Sequence, residues 1–202
     1  MTNKILVLSE NPPITYLNAL NRVNLNCDSK FIPEDFSSYR GLLLIGGGDI
    51  LPCFYGKADA RNINFIRDKA EFSALKYFTE NSLPVMGVCR GLQVLNVFFG
   101  GTLKTVNNHF GTDGKDAYHK VFSLSPEIFD IPLVNSYHRQ AVDKLGKGGK
   151  PLLVSEDKIV EAVAFKENSF GVQFHPERLS NEVSDLFYGY FAEKVRRVPR
   201  VY

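Results

Sequence analysis

The sequence predicts an α/β fold: an open, mostly parallel sheet with helices on both faces and an antiparallel addition. Three observations lead there. Short apolar runs at 4–9 (KILVLS), 41–48 (GLLLIGGG) and 83–88 (LPVMGV) have the continuous hydrophobicity of strands buried on both faces. A helical repeat separates the last two runs. The second half of the chain then changes to short alternating pieces with tight turns. Strand, helix, strand, helix in succession is the order of a parallel sheet.

Each element has its own justification. The opening MTNKILVLSE turns polar too soon for a signal peptide and reads as the first strand. Between 62 and 81, Phe65, Ile66, Ala70, Phe72, Leu75 and Phe78 recur at roughly helical intervals, with the charges expected on the opposite side. Asn81 and Pro84 end that helix. Residues 104–135 carry few helical patterns and pieces such as HKVFSLS. From Leu152 to Glu177 the chain reads as successive strands, with turns at Glu156–Asp157 and Glu167–Asn168. A closing helix follows from Ser180, a candidate N-cap. Val183 stands where a capping box needs Glu or Gln, so that motif is excluded.

At 202 residues, with no repeat and no linker, one domain over 1–202 is expected. The net charge is +2, so composition gives no reason to expect a nucleic-acid or membrane partner. No apolar run reaches the length of a membrane-spanning helix. Cys27, Cys53 and Cys89 are an odd set without paired spacing, which argues against a disulfide framework or a zinc site and for a reducing, cytoplasmic setting.

One of those cysteines is placed for chemistry. Val85-Met86-Gly87-Val88-Cys89-Arg90-Gly91 reads as strand, G-x-C-x-G, then helix. Small flanking residues let the chain turn sharply and present a nucleophile at the strand's end. The unpaired amides of the helix start favour negative charge on the thiol. A small buried cysteine in a glycine turn fits the same letters, so the decision rests on a base. Of the four histidines, His175 in FGVQFHPE follows an apolar strand, with Glu177 two residues on, where a carboxylate can hold its tautomer. Gly46-Gly47-Gly48 ends another buried strand and would let amides approach an oxyanion, with the Arg90 amide as second donor. A plain flexible turn is the other reading of that triplet. No G-K-[ST] follows it, so a phosphate loop is set aside.

Together, PVMGVCRGLQVLNVFFGGTL, VNSYHRQAV and FGVQFHPE resemble the signature blocks of the class I glutamine amidotransferase-like superfamily. LLLIGGGDILPCFYG and RDKAEFSALKYF are similar to earlier blocks of its γ-glutamyl hydrolase branch, and the blocks run in order from Leu42 to Glu177. The resemblance implies a flavodoxin-like core, no metal and no organic cofactor. It also implies Cys89 as nucleophile, His175 as base then acid, Glu177 as its orienting carboxylate, and Gly48 and Arg90 as oxyanion donors. Gly47, Gln93 and the backbone around Ser136, Tyr137 and His138 would hold the glutamyl group. In one departure, Arg139 stands where the branch usually has a second histidine. A cation there would suit an anionic leaving group if it points inward. The basic loop KLGKGGK and the tail EKVRRVPRV could add to that field or be solvated charge runs.

The expected activity is hydrolysis of a small γ-glutamyl conjugate through a γ-glutamyl thioester, releasing glutamate. The leaving amine is open, and a nucleotide phosphoramidate is among the candidates. The alternative is a glutaminase subunit that passes ammonia to a partner synthase with the same three residues.

Overall fold

A computed structural model describes residues 4–33, 35–56, 60–111, 115–125, 128–166 and 168–199. Its parallel core contains β1 (Lys4–Val7), β2 (Asn26–Ser29), β3 (Gly41–Leu44), β4 (Val85–Val88) and β11 (Ser169–Val172). The antiparallel part contains β6 (Ala117–Ser123), β7 (Leu133–Ser136), β9 (Lys150–Ser155) and β10 (Val160–Ala164). Among the described residues these form one nine-stranded sheet in the order β2-β1-β3-β4-β11-β10-β9-β6-β7. Two further strands, β5 (Thr102–Thr105) and β8 (Gln140–Lys144), pair antiparallel beside it. Among the described residues there are also four α-helices, α1 (Ile14–Arg22), α2 (Phe65–Glu80), α3 (Arg90–Phe98) and α4 (Asn181–Arg197), and two single 3₁₀ turns at Pro52–Phe54 and Pro176–Arg178.

Strand period 2 divides the apolar runs between two cores. Ile5, Val7, Leu43, Met86, Val88 and Val172 face α1 and α4, meeting Leu20, Phe187, Phe191 and Val195. Leu6, Leu42, Leu44 and Val85 face α2 and α3, meeting Leu75, Phe78, Leu92 and Leu95. This is why the runs are apolar throughout: every residue of β3 and β4 is buried.

The sequence reading needs two refinements. The last strand of the 152–177 stretch, β11, does not belong to the antiparallel addition. It lies parallel to β4, with Val172 opposite Val88, and only its β10 side is antiparallel. The turn residue Glu167 lies outside the described residues. The helix expected over 62–81 is α2, whose N-cap Asn64 accepts the Arg67 amide. Its faces differ from the expected pattern. Phe65 and Ile66 are exposed, while Asp68 and Glu71 are completely buried. The physical reason is a cation from another element: Arg90, 2% exposed, pairs with Asp68 at 2.5 Å and with Glu71. Ser180 does precede α4, but its side chain makes no capping hydrogen bond.

Candidate active site

The thiol sits where β4 gives way to α3. Cys89 has φ 53° and ψ −106°, a left-handed conformation that costs a non-glycine residue about 1–3 kcal/mol and recurs at functional turns. Its amide is anchored on the Val172 carbonyl at 2.7 Å. Glycine is required on both sides of the turn because α3 packs directly on the sheet. A Cβ on Gly87 would come within 2.5 Å of the Gly91 backbone, and one on Gly91 would collide with the Leu44 carbonyl. Arg90 is the first residue of α3, so its amide has no intrahelical acceptor.

Because β11 is the parallel neighbour of β4, the residues after Val172 emerge beside Cys89. His175 is 4% exposed, and its Nδ1 donates to Glu177 Oε1 at 2.8 Å. The ring edge at Cε1 and the Cys89 Cβ border the same point above Gly46. Burial by itself would lower the pKa of His175. The negative charges at Cys89 and Glu177 outweigh it and hold the imidazole up at about 10, which favours the imidazolium. The histidine backbone is clamped on both sides by Asn135: Oδ1 accepts the His175 amide at 2.9 Å and Nδ2 donates to its carbonyl at 3.1 Å. Tyr16, from α1, lies 3.4 Å from His175 Nδ1 and accepts the Gly46 amide at 3.2 Å. Burial raises its pKa well above the usual value, so it stays neutral. Gln173 directs Nε2 at Cys89 Sγ, 3.8 Å away.

A cavity of about 460 Å³ opens at the carboxyl ends of β3, β4 and β11, the expected position for a ligand in an open α/β sheet. Gly47 and Gly48 border it beside Cys89 and His175. The loop that carries them is pinned by the buried charge cluster. Arg67 donates to the carbonyls of Ile45 (2.8 Å) and Gly46 (3.0 Å) and to Glu71 (2.8 Å), while Asp68 Oδ2 accepts the Leu51 amide at 2.9 Å. The Arg90 side chain closes this cluster, so it turns away from the cavity and leaves its amide next to the thiol.

The remaining expected residues separate into two groups. Gln93, Tyr137 and His138 line the cavity. Gln93 is buried rather than solvent-facing, with Nε2 on the Gln140 carbonyl at 2.7 Å and 3.3 Å from Gln173 Oε1. Burial pushes the pKa of His138 down to about 3, with neighbouring His109 adding to the effect, so it is neutral. The Ser136 side chain points away from the cavity: its hydroxyl turns back to the His109 carbonyl at 2.8 Å, because β7 alternation points it inward. Sequence reasoning missed Tyr16, Asn135 and Gln173, which no local pattern marks, and the cations Arg61 and Arg178 on the cavity wall. Arg139 also lines the cavity, with its guanidinium 4.9 Å over the Phe110 ring. Arg178 stacks 5.6 Å over Tyr137, and Phe110 and Tyr137 lie 4.0 Å apart. The basic loop at 144–150 contributes nothing to the wall.

With this geometry in hand, comparison with known proteins is informative. The Peptidase C26 family signature matches residues 23–177. The chain belongs to that family. It is 32% identical over 189 residues to a Mycobacterium tuberculosis protein named as a glutamine amidotransferase, covering 81% of this chain and 60% of the relative. It is 34% identical over 149 residues to the γ-glutamyl-CDP-amidate hydrolase of Campylobacter jejuni, covering 71% of this chain and 67% of that enzyme. A Lactococcus lactis relative is covered to 65%, so the chain spans less than two thirds of the length of several relatives it matches. A Thermotoga maritima glutamine amidotransferase superposes with a TM-score of 0.73 at 16% identity, over 96% of this chain and 99% of that one, a likeness of fold. The chain therefore joins membership of the Peptidase C26 family to a mixed open sheet of the kind seen in that glutamine amidotransferase structure. Among the described residues no helix is long and apolar enough to cross a membrane.

Proposed function

We propose that this C26 protein hydrolyses the γ-glutamyl amide bond of a small conjugate with an anionic leaving group. The reading rests on one observation: a cysteine in a strained strand-to-helix turn shares a cavity with a charged, carboxylate-held histidine and a wall of arginines. Cys89 Sγ attacks the side-chain carbonyl of the glutamyl group. The amides of Gly48 and Arg90 receive the oxyanion. His175, carrying its proton, delivers it to the departing nitrogen and leaves a γ-glutamyl thioester. Neutral His175 then takes a proton from water, hydroxide attacks the thioester, and glutamate and the thiolate are regenerated. Glu177 keeps the Nδ1 proton in place throughout. Gln93, Gly47, Tyr137 and His138 border the glutamyl portion.

The leaving group is assigned to the arginines of the cavity wall. Arg61, Arg139 and Arg178 put three cations on that wall against the lining carboxylate of Asp49 and the Asp116 partner of Arg178 at 2.9 Å, and Phe110 with Tyr137 supplies an aromatic shelf. A phosphorylated group carrying a flat ring meets both features. The named activity of the Campylobacter relative, hydrolysis of a γ-glutamyl nucleotide amidate, is of this kind.

The experiment is glutamate release from glutamine, a γ-glutamyl amino acid, a γ-glutamyl polyamine acid and a γ-glutamyl phosphoramidate, with Cys89→Ala as control. Rapid Cys89-dependent release from the phosphoramidate supports the proposal. Equal or faster release from the uncharged members removes the anionic leaving group. Silence on all four, with a reactive thiol present, transfers the assignment to a glutaminase that needs a partner synthase.

A further inference from the structure

Behind the wall that carries His138, three metal-ligating side chains converge from separate elements. His109 comes from the loop before β6, His119 from β6 and Glu161 from β10, which are not neighbouring strands because β9 lies between them. One donor atom from each lies within 4.8 Å of the other two. His119 Nε2 is 2.9 Å from Glu161 Oε1, and His109 Nδ1 is 3.9 Å from the same oxygen. Ligands around a tetrahedral zinc ion, bonded at about 2.1 Å, stand about 3.4 Å apart, a value these two separations bracket.

The surroundings are organised as metal sites are. His109 directs its other nitrogen, Nε2, at the Asp157 carboxylate at 2.8 Å, and Ser155 holds that carboxylate at 2.5 Å. A carboxylate behind a histidine fixes the tautomer that turns a lone pair toward the ion. Ser136 Oγ lies 3.3 Å from His109 Nδ1, but its proton goes to the His109 carbonyl at 2.8 Å. Glu161 is fully buried, and its Oε2 has no hydrogen-bond partner. A buried acceptor of that kind is costly unless something positive meets it. The His138 ring, whose Nε2 is likewise buried and unpartnered, lies 4.8 Å from the His109 ring. His119 keeps 15% of its side chain exposed, which gives an ion a way in.

We propose that His109, His119 and Glu161 bind one divalent transition-metal ion, zinc by its donor set, with a solvent molecule in the fourth position. This reverses the sequence expectation of no metal, which rested on cysteine spacing and on the family resemblance. The ion would brace β6 against β10 across β9. Through the His109 carbonyl, which accepts the His138 amide at 2.8 Å, it would also steady the segment bordering the active cavity. It takes no part in the proposed hydrolysis, so the two assignments stand or fall separately.

The test uses the untagged chain, stripped with a chelator, in wild-type and Cys89→Ala forms. Cobalt(II) is titrated in and the visible d–d bands are followed. Zinc is then scored by thermal melting. The expected result in both forms is one equivalent of cobalt without a thiolate charge-transfer band. At a hundredfold excess over Kd, zinc should raise the melting temperature by roughly 5 °C or more. Glu161→Gln and His119→Gln should each lose binding at least tenfold. His119 is partly exposed, so its variant remains a folded test if the glutamine at 161 destabilises the chain. The proposal is overturned if stripped wild type shows no saturable binding at millimolar metal. It is equally overturned if folded His119→Gln binds as tightly as wild type, or if a thiolate band places the metal on a cysteine.

Discussion

Replacing Glu71 by glutamine keeps its shape and removes one charge from a buried cluster of four. In the native protein Arg67 and Arg90 face Asp68 and Glu71, and Glu71 serves both cations. Asp68 and Glu71 are fully buried, Arg90 is 2% exposed and the Arg67 side chain 17%. Glu71→Gln therefore leaves two guanidinium groups with one carboxylate. Breaking a buried pair by removing one partner costs about 3–5 kcal/mol, since the remaining charge stays out of water. Arg67 can reach solvent, which favours the lower end, near 3 kcal/mol. For a domain of this size that is a fall of about 6–12 °C in melting temperature. The loop should feel the change too, because Arg67 also holds the Ile45 and Gly46 carbonyls. Removing an oxyanion donor outright costs about 10²–10³ in kcat; on the proposed role of the Gly48 amide, loosening its loop is expected to cost about tenfold. The assay pairs differential scanning calorimetry with single-turnover hydrolysis. Alkylation of Cys89 by iodoacetamide needs no oxyanion hole, so its rate should stay within about threefold of wild type. The double variant Arg67→Met/Glu71→Gln, balanced in charge again, should recover part of the stability. A Glu71→Gln protein that melts within 2 °C of wild type (below the shift expected from even about 1 kcal/mol) and turns over normally would refute the reasoning.

Three further outcomes are expected. Cys89→Gly should be more stable than Cys89→Ala by about 1 kcal/mol: the φ of 53° strains alanine but not glycine, and glycine's backbone entropy offsets part of the relief; urea midpoints compare the two. Since His175 holds its proton up to about pH 10, the alkaline limb of kcat/KM should lie near that pH rather than near the 6.5 of free imidazole, and Glu177→Gln should move it acidward by removing a charge that favours the protonated form. Arg139→Gln should raise KM for a phosphoramidate substrate about 10–100-fold, the worth of a charge-assisted hydrogen bond, while leaving KM for glutamine unchanged; an equal rise for both would relieve Arg139 of any contact with the leaving group.

Much of this architecture is legible in the chain itself, because apolar runs bounded by glycine leave β3 and β4 few alternatives. Cys89 and His175 could be nominated for the same reason: each follows a strand, and strand ends are where open sheets bind ligands. What the sequence hides are partnerships between elements. Asp68 and Glu71 read as the wet side of a helix, because nothing within α2 announces that Arg90, 19 and 22 residues away, will neutralise them. Tyr16, Asn135 and Gln173 reach the site only through the packing of α1, β7 and β11, and none carries a local signature. The side-chain direction of Ser136 was equally hidden: its hydroxyl returns to the His109 carbonyl, while Tyr137 and His138, beyond the end of β7, line the cavity. β11 was taken for one more antiparallel strand because its length and turns suit a hairpin, and only the β4 pairing makes it parallel.

That pairing also sets when the thiol can meet its histidine. The partner of Cys89 emerges more than eighty residues later in the chain and reaches it only after β11 has inserted between β4 and β10. During synthesis the thiol therefore leaves the ribosome long before its histidine exists, and a truncated product ending before β11 would keep the cysteine without the imidazolium. Contacts this distant in sequence form late, because loop closure has to be met before they stabilise anything. The sheet thus acts as a safety catch, bringing the thiol and the imidazolium together only in a chain that has been made and folded through residue 177.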